Sequence, residues 1–473
     1  MTSGRHDGAD APRLRRRRGR AGVLVAVVWL AAAAGADAQQ IDGADSSRPI
    51  RSLFGGATSE TPTNQSLNLS GALFGGFDDD IFARGQNPGL GRPRVSGEFV
   101  GGQASLSYFK RLATATVQAS GATSARYVTD SQELVPTFHS GTFQFGKEFG
   151  PRTSLQVRQL LLYRPFFTAA PFVGQSGTGA TFPGSETGVG GDLGGGFDPS
   201  LDDSTISSDR TAFQYATAVD LTRRLSPRSR LEFFGVYGQS DFGQSAETAN
   251  VDNTRAQVRG RYVYDLTSFL AARLGYGFRR FGAQEGRNGV NHDIDIGLIL
   301  NRPFQFRRGR TEFSATTGST LLVRDRVSTA QGGGDRTLFR VIGTGQVRHT
   351  FQGDWIADAT YTRSVGFLDG FLEPVQGDRV TTSLSGLLTR GLEFQMEAGY
   401  MSGAIGMQDR NFDTALAGAR LRLALTQKLA LFAQYFYFQY AYDDDVAAQL
   451  LVAPELERQG FRAGLTVWLP VLR

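Results

Sequence analysis

The stretch "RAQVRGRYVYDLTSFLAARLGYGFRR", residues 255–280, decides the fold. Ala256, Val258, Gly260, Tyr262, Tyr264 and Leu266 take one parity; Arg255, Gln257, Arg259, Arg261, Val263 and Asp265 take the other. A β-strand sends successive side chains to opposite faces, so one face is apolar or small and the other polar. A helix would put Arg261, Tyr262, Asp265 and Leu266 around Val258, mixing charge into a stripe that has to be apolar. After a short break the alternation resumes, with Leu270, Ala272, Leu274, Tyr276 and Phe278 against Arg273, Gly275, Gly277 and Arg279. Two long strands joined by so short a turn predict a β-hairpin.

The same template fits elsewhere. In "HDIDIGLIL", Ile294, Ile296, Leu298 and Leu300 alternate with Asp293, Asp295, Gly297 and Ile299. In "LEFQMEAGY", Leu392, Phe394, Met396, Ala398 and Tyr400 alternate with Glu393, Gln395, Glu397 and Gly399. "GARLRLALT" sets Arg420 and Arg422 on its polar side, while "LFAQYFYFQYAY" (431–442) carries aromatics on both parities. About 18 such segments of roughly ten to fourteen residues run from near Gln65 to near Leu469, with 16 as the alternative count, a length suited to membrane-spanning strands.

Tight breaks fall near Arg111, Pro151, Pro227, Thr267, Arg307, Gly353, Arg390 and Gln427, mostly about 40 residues apart. Longer polar links lie between them at 241–251, 325–335, 368–378 and 443–457, and a Gly-rich one spans Arg164 to Asp209. Short turns at one end and long loops at the other predict an all-β, up-and-down antiparallel transmembrane barrel, with periplasmic turns and extracellular loops. The Gly-rich link, apolar at its start and acidic at its end, is expected to constrict or gate the mouth.

Composition agrees with this class. Cys is absent, which removes any disulfide framework and any thiolate metal or nucleophile site. The formal charge of +5 misleads, because residues 1–38 hold seven arginines and three aspartates and the remainder is near neutral. Nucleic acid is therefore not an expected partner. Arg13 to Arg20 form a basic region, Ala21 to Gly35 an apolar one, and Ala36-Asp37-Ala38 a small-x-small site, which together predict a cleaved signal peptide at 1–38. Residues 39–63 read as a flexible segment too short for a plug domain, and 64–473 as the barrel. No later run approaches ~20 consecutive apolar residues, so no spanning helix is expected. A β-propeller would need four short strands per period. A soluble sandwich would need strands of about 5–6 residues.

The last strand, "RQGFRAGLTVWLP", resembles the C-terminal recognition strand of bacterial outer-membrane β-barrels, mapping onto Arg462, Gly464, Val467 and Leu469. That family prefers aromatics at the last two positions and a terminal Phe, where this chain has Val467, Leu469 and the overhang "PVLR". The turn phrase "LSPRSRL" is similar to β-barrel porins found with exopolysaccharide genes. The resemblance implies an outer-membrane location, lipopolysaccharide and lipid contacts, and delivery by the barrel-assembly machinery through those four residues.

Chemistry is sparse. No Gly-x-Ser-x-Gly elbow, His-Glu-x-x-His helix or phosphate-binding glycine loop occurs, and no cofactor or metal is expected. His139, His292 and His349 fall on lipid-facing parity, with Ser140 beside the first, as a lipid-face hydrolase would need. A histidine near the interfacial end of a strand is the plainer account. The acidic triplets Asp78–Asp80 and Asp443–Asp445 suggest divalent cations, or merely solvated loop tips. The inward parity carries Arg255, Arg259, Arg261, Arg273, Arg279, Arg340, Arg348, Arg420 and Arg422, which would bias a pore toward anions. Alternatively they pair with Asp293, Asp295, Asp358, Glu393 and Glu397 and fill the lumen. The sequence thus predicts a porin-like channel for passive diffusion of small hydrophilic solutes. The alternative is a non-transport barrel, either a lipid-face enzyme or a structural component of an envelope polysaccharide system. Oligomeric state is not legible.

Overall fold

The computed structural model describes residues 64–81, 96–129, 133–165, 211–242, 252–283, 288–306, 309–324, 336–351, 355–367, 374–405, 410–444, 447 and 453–472. The side chains of some strand positions, Asp295 among them, are outside that description. The expected signal peptide, flexible segment and 164–209 constriction fall on residues outside it, apart from two at the end of a strand.

The described residues form eighteen strands. They are β1 (Gln65–Asp78), β2 (Gly97–Arg111), β3 (Ala115–Val128), β4 (Glu133–Phe149), β5 (Thr153–Pro165) and β6 (Thr211–Ser226). Next come β7 (Ser229–Phe242), β8 (Asn253–Asp265), β9 (Leu270–Ala283), β10 (Asn288–Phe306), β11 (Gly309–Arg324) and β12 (Arg336–Phe351). The last six are β13 (Ile356–Phe367), β14 (Pro374–Thr389), β15 (Leu392–Ile405), β16 (Arg410–Ala424), β17 (Leu429–Tyr442) and β18 (Glu455–Leu472). Each pairs antiparallel with the next in sequence, and β1 pairs with both β2 and β18, so the sheet closes into a ring. Closure pairs every strand with two neighbours, the condition for a sheet in hydrocarbon. The ends of β12 and β13 beyond Gly343 and Arg363 pair on one side only.

The opening hairpin pairs Val263 with Arg273, Arg261 with Gly275 and Arg259 with Gly277, so the arginine parities of β8 and β9 share one face. That face is the inner one. Val258 (64 % exposed), Leu274 (57 %) and Ile296 (64 %) point outward, whereas Arg259, Arg261 and Arg273 are buried. The ring's exposed large hydrophobics repeat this outward parity, from Leu69 and Leu73 on β1 to Leu469 on β18. An apolar belt of that extent belongs in lipid, not water.

The eight tight breaks read from the sequence each fall at or beside a link between paired strands. The other end differs from expectation. Links 129–132, 284–287 and 406–409 are as short as the turns opposite them, and 368–378 shrinks to 368–373 because β14 starts at Pro374. Pairing there continues beyond the point where apolar–polar alternation is legible, as in the 19-residue β10. The "PVLR" overhang is likewise strand as far as Leu472, with Pro470 opposite Asn68 beside a register shift.

Parity also marks Gly297 as an inward position tolerant of a larger side chain. The structure overturns that expectation. A β-carbon on Gly297 would overlap the Thr317 carbonyl oxygen of β11. Close backbone approach at a bend in the sheet is what requires glycine there.

Candidate functional site

The inner face is the only surface that could guide a hydrophilic solute through such a ring. Its side chains divide into packed and open arcs. In the first packed arc, β5 to β10, Arg158 meets Asp220 at 2.6 Å, and Arg261 meets Glu232 at 3.4 Å. Arg230 bridges Glu232 (2.6 Å) and Asp265 (3.3 Å). Arg279 donates to Asp293 Oδ1 at 2.8 Å, and the same oxygen accepts the Thr320 hydroxyl at 2.6 Å. Arg273 donates to the Thr317 carbonyl at 3.1 Å, crossing above Gly297, and Arg259 lies 5.6 Å from the Phe234 ring centre. Paired and hydrogen-bonded carboxylates and ring faces are what buried guanidinium groups require.

The second packed arc, β16 to β18, continues into the upper parts of β1 to β3. Arg422 pairs with Glu393 at 3.3 Å. Arg462 donates to Gln434 at 2.9 Å and lies over the Phe74 ring, and Arg126 lies over Phe99. Arg458 grips both oxygens of Asp78, fully buried, across the seam between last strand and first. Every inward residue of β17 from Ala430 to Tyr442 is buried, including Phe432, Phe436, Phe438 and Tyr440. The face that sequence left ambiguous is therefore an aromatic inner wall. Gly460 makes room for it, since a β-carbon there would strike the Phe436 ring.

The open arcs are β11 to β15 and the lower parts of β1 to β4. Their inner faces carry mostly hydroxyls and amides, paired across strands: Ser120 with Thr142 (2.5 Å), Ser70 with Ser105 (2.5 Å) and Thr316 with Thr344 (2.7 Å). Gln346 donates to Asp358 at 2.8 Å. Arg340, near the end of β12 beyond its pairing with β13, reaches Gln376 on the outward parity of β14 at 3.0 Å.

The residues expected to line a pore thus separate. Arg259, Arg261, Arg273, Arg420, Arg422 and Asp293 are inward but buried, and Arg255, Arg279, Glu393 and Glu397 are half-buried. Arg340 and Arg348 are inward and exposed. Asp295 shares the inward register opposite Gly275, though its side chain lies outside the described residues. Sequence reasoning missed Arg126, Arg158 and Arg458, whose inward parity was readable but whose carboxylate and ring partners lie on other strands. It read Arg462 only as part of the terminal motif.

Three other candidates resolve differently. His139 and Ser140 point to opposite faces, and His139 instead bonds the Thr123 hydroxyl at 2.8 Å. His292 bonds Tyr276 (2.7 Å) and His349 bonds Thr311 (2.6 Å). In the first triplet, Asp78 is taken by Arg458, Asp79 accepts the Gln459 amide at 2.8 Å, and the Asp80 amide donates to Asp78 at 3.0 Å. Asp443 exchanges hydrogen bonds with the Asn411 backbone, while Asp445 lies outside the described residues. These acids staple strand ends. No group of three His, Asp or Glu among the described residues is placed to hold a metal ion.

A groove of about 720 Å³ opens on the outer face, lined by Leu73, Val100, Leu421, Leu431 and Leu465. It is almost wholly apolar, so it suits hydrocarbon and not a hydrophilic solute.

No family model matches this chain, and no curated protein does. Among solved structures it is similar to OccAB3 of Acinetobacter baumannii, at 10 % identity and a TM-score of 0.42, covering 86 % of this chain and 99 % of that one. OpdO of Pseudomonas aeruginosa matches at 13 % identity and 0.41, covering 86 % and 98 %. An OmpT loop-deletion mutant, an outer membrane protein of Vibrio cholerae, matches at 11 % and 0.33, covering 86 % and 100 %. The fold assignment rests on the strand pairing itself.

Proposed function

We propose that this chain is an outer-membrane, porin-like channel through which small hydrophilic solutes diffuse passively. One observation carries the reading: a closed ring of eighteen strands that is apolar outside and, apart from an aromatic stretch centred on β17, polar inside. Rings of eight strands are filled by their own side chains, whereas rings of sixteen to eighteen leave an aqueous passage. In this reading the tight turns are periplasmic and the opposite end is extracellular, where lipopolysaccharide surrounds the rim. Residues 1–38 direct export and are removed, so that the mature chain starts at Gln39. The assembly machinery reads β18 through Arg462, Gly464, Val467 and Leu469. The channel is not an enzyme in this reading. The hydroxyl partners of the three outward histidines support that, since Ser140 is turned away from His139.

The test is conductance of the purified, folded protein in planar lipid bilayers. Discrete channel steps support the reading. A folded barrel that never conducts overturns it in favour of a structural envelope component. N-terminal sequencing of the membrane-inserted protein checks the start at Gln39.

A further inference from the structure

Resting on the channel reading, we infer that the aqueous path follows the hydroxyl- and amide-bearing arcs, and that the solute it selects is an uncharged polyhydroxylated molecule. The arginine arcs are packed wall.

Exposure carries the argument. Glutamines sit on all four arcs and serve as internal probes. Gln118 on β3 and Gln346 on β12 are exposed on the inner face, whereas Gln257 on β8 (9 %) and Gln434 on β17 (1 %) are buried. The division is therefore one of location, not residue type. Arg259, Arg261, Arg420 and Arg422 go with the buried glutamines. A fixed charge selects ions when the passing ion meets it. A guanidinium buried against a carboxylate or a ring presents little of its charge to the path.

What the open arcs present is nearly neutral. Charges on β11 to β13 are mixed in sign: Arg310 meets Glu312 at 2.9 Å, and Arg348 stands opposite both Glu312 and Asp358. Inward Arg340 and Arg379 are balanced by inward Glu393 and Glu397 on β15, and the remaining polar positions are hydroxyl and amide. A hydroxyl both donates and accepts, and its hydrogen rotates to suit its partner. The cross-strand pairs Ser120–Thr142 and Thr316–Thr344 exchange partners readily with the hydroxyls of a passing solute. Many weak, interchangeable bonds let a solute enter and leave, as conduction demands.

Because the chain has no cysteine, single cysteines report the path without background. The variants are Gln118→Cys and Gln346→Cys on the open arcs, and Gln257→Cys and Gln434→Cys on the packed ones. Each is confirmed as folded by heat-dependent gel mobility and then exposed, while conducting, to a charged methanethiosulfonate reagent. The first pair should lose conductance stepwise and the second pair should not. In proteoliposome swelling, a neutral hexitol and an anionic sugar acid of equal size should enter at rates within about twofold, with near-zero reversal potential in a salt gradient. Block only at Gln257→Cys or Gln434→Cys, or a several-fold preference for the anion, overturns the inference while leaving a channel. No conductance in any folded variant or in the parent overturns the channel reading, and this inference with it.

Discussion

The packed arcs and the open arcs belong to one sheet and obey one alternation, yet their inner faces have different tasks. On β8, Arg259 and Arg261 are inward and buried; on β12, Gln346 and Arg348 are inward and exposed. Inward-facing is therefore not the same as pore-lining. Where arginines crowd, carboxylates and rings from neighbouring strands enclose them, and the charge becomes part of the wall. Where serine, threonine and glutamine prevail, short side chains leave room for water.

The largest effect that would test this contrast is at the seam. Asp78→Asn leaves the Arg458 guanidinium buried without its anion and should cost about 3–5 kcal/mol. Glu312→Gln breaks an exposed pair of the open arc and should cost at most about 1 kcal/mol. Urea midpoints in lipid, read by heat-dependent gel mobility, measure both. Equal shifts would break the distinction.

A second pair sharpens the facing of the wall. Leu298→Arg puts a charge into the lipid belt and should cost about 2–4 kcal/mol, while Thr344→Arg, inward on an open arc, should refold at near-parental yield. Gly297→Arg would not serve as the inward control, because even a β-carbon there meets the Thr317 carbonyl. Refolding yield in bilayers of fixed thickness decides the matter, and similar losses for Leu298→Arg and Thr344→Arg would reverse the assigned faces.

The smallest expected difference is between two hydroxyls two turns of the pleat apart on β11. Thr320→Val deprives buried Asp293 of a donor and should cost about 1–3 kcal/mol. Thr316→Val removes a half-buried hydroxyl pair beside water and should cost about 0.5–1.5 kcal/mol. If Thr316→Val proves the more damaging in the same urea assay, the open arc is more tightly packed than its exposure implies.

Much of this architecture was readable without coordinates. Alternation at 255–280 identified a hairpin, its repetition indicated about eighteen strands, and the eight tight breaks came out at the strand links observed. Those features are local: parity depends only on neighbours along the chain, and a turn on a few residues. The loop end was read less well, because strand pairing there outlasts the alternation that reveals it. Aromatics on both parities of β17 hid which set faced inward, since a ring suits lipid and a packed corner alike.

The sequence by itself determined the class of strand-rich, cysteine-free barrel, the places of its eight tight turns, and which side chains of β8 and β9 share a face. Only the tertiary structure decided that Arg458 meets Asp78 across 380 residues of chain, that Gly297 lies under a carbonyl of the next strand, and that inward Arg259, Arg261, Arg273, Arg420 and Arg422 are enclosed. The reason is physical. Which way a side chain points follows from the pleat of its own strand, but whether it meets water follows from the bend of the ring and from side chains brought alongside by pairing.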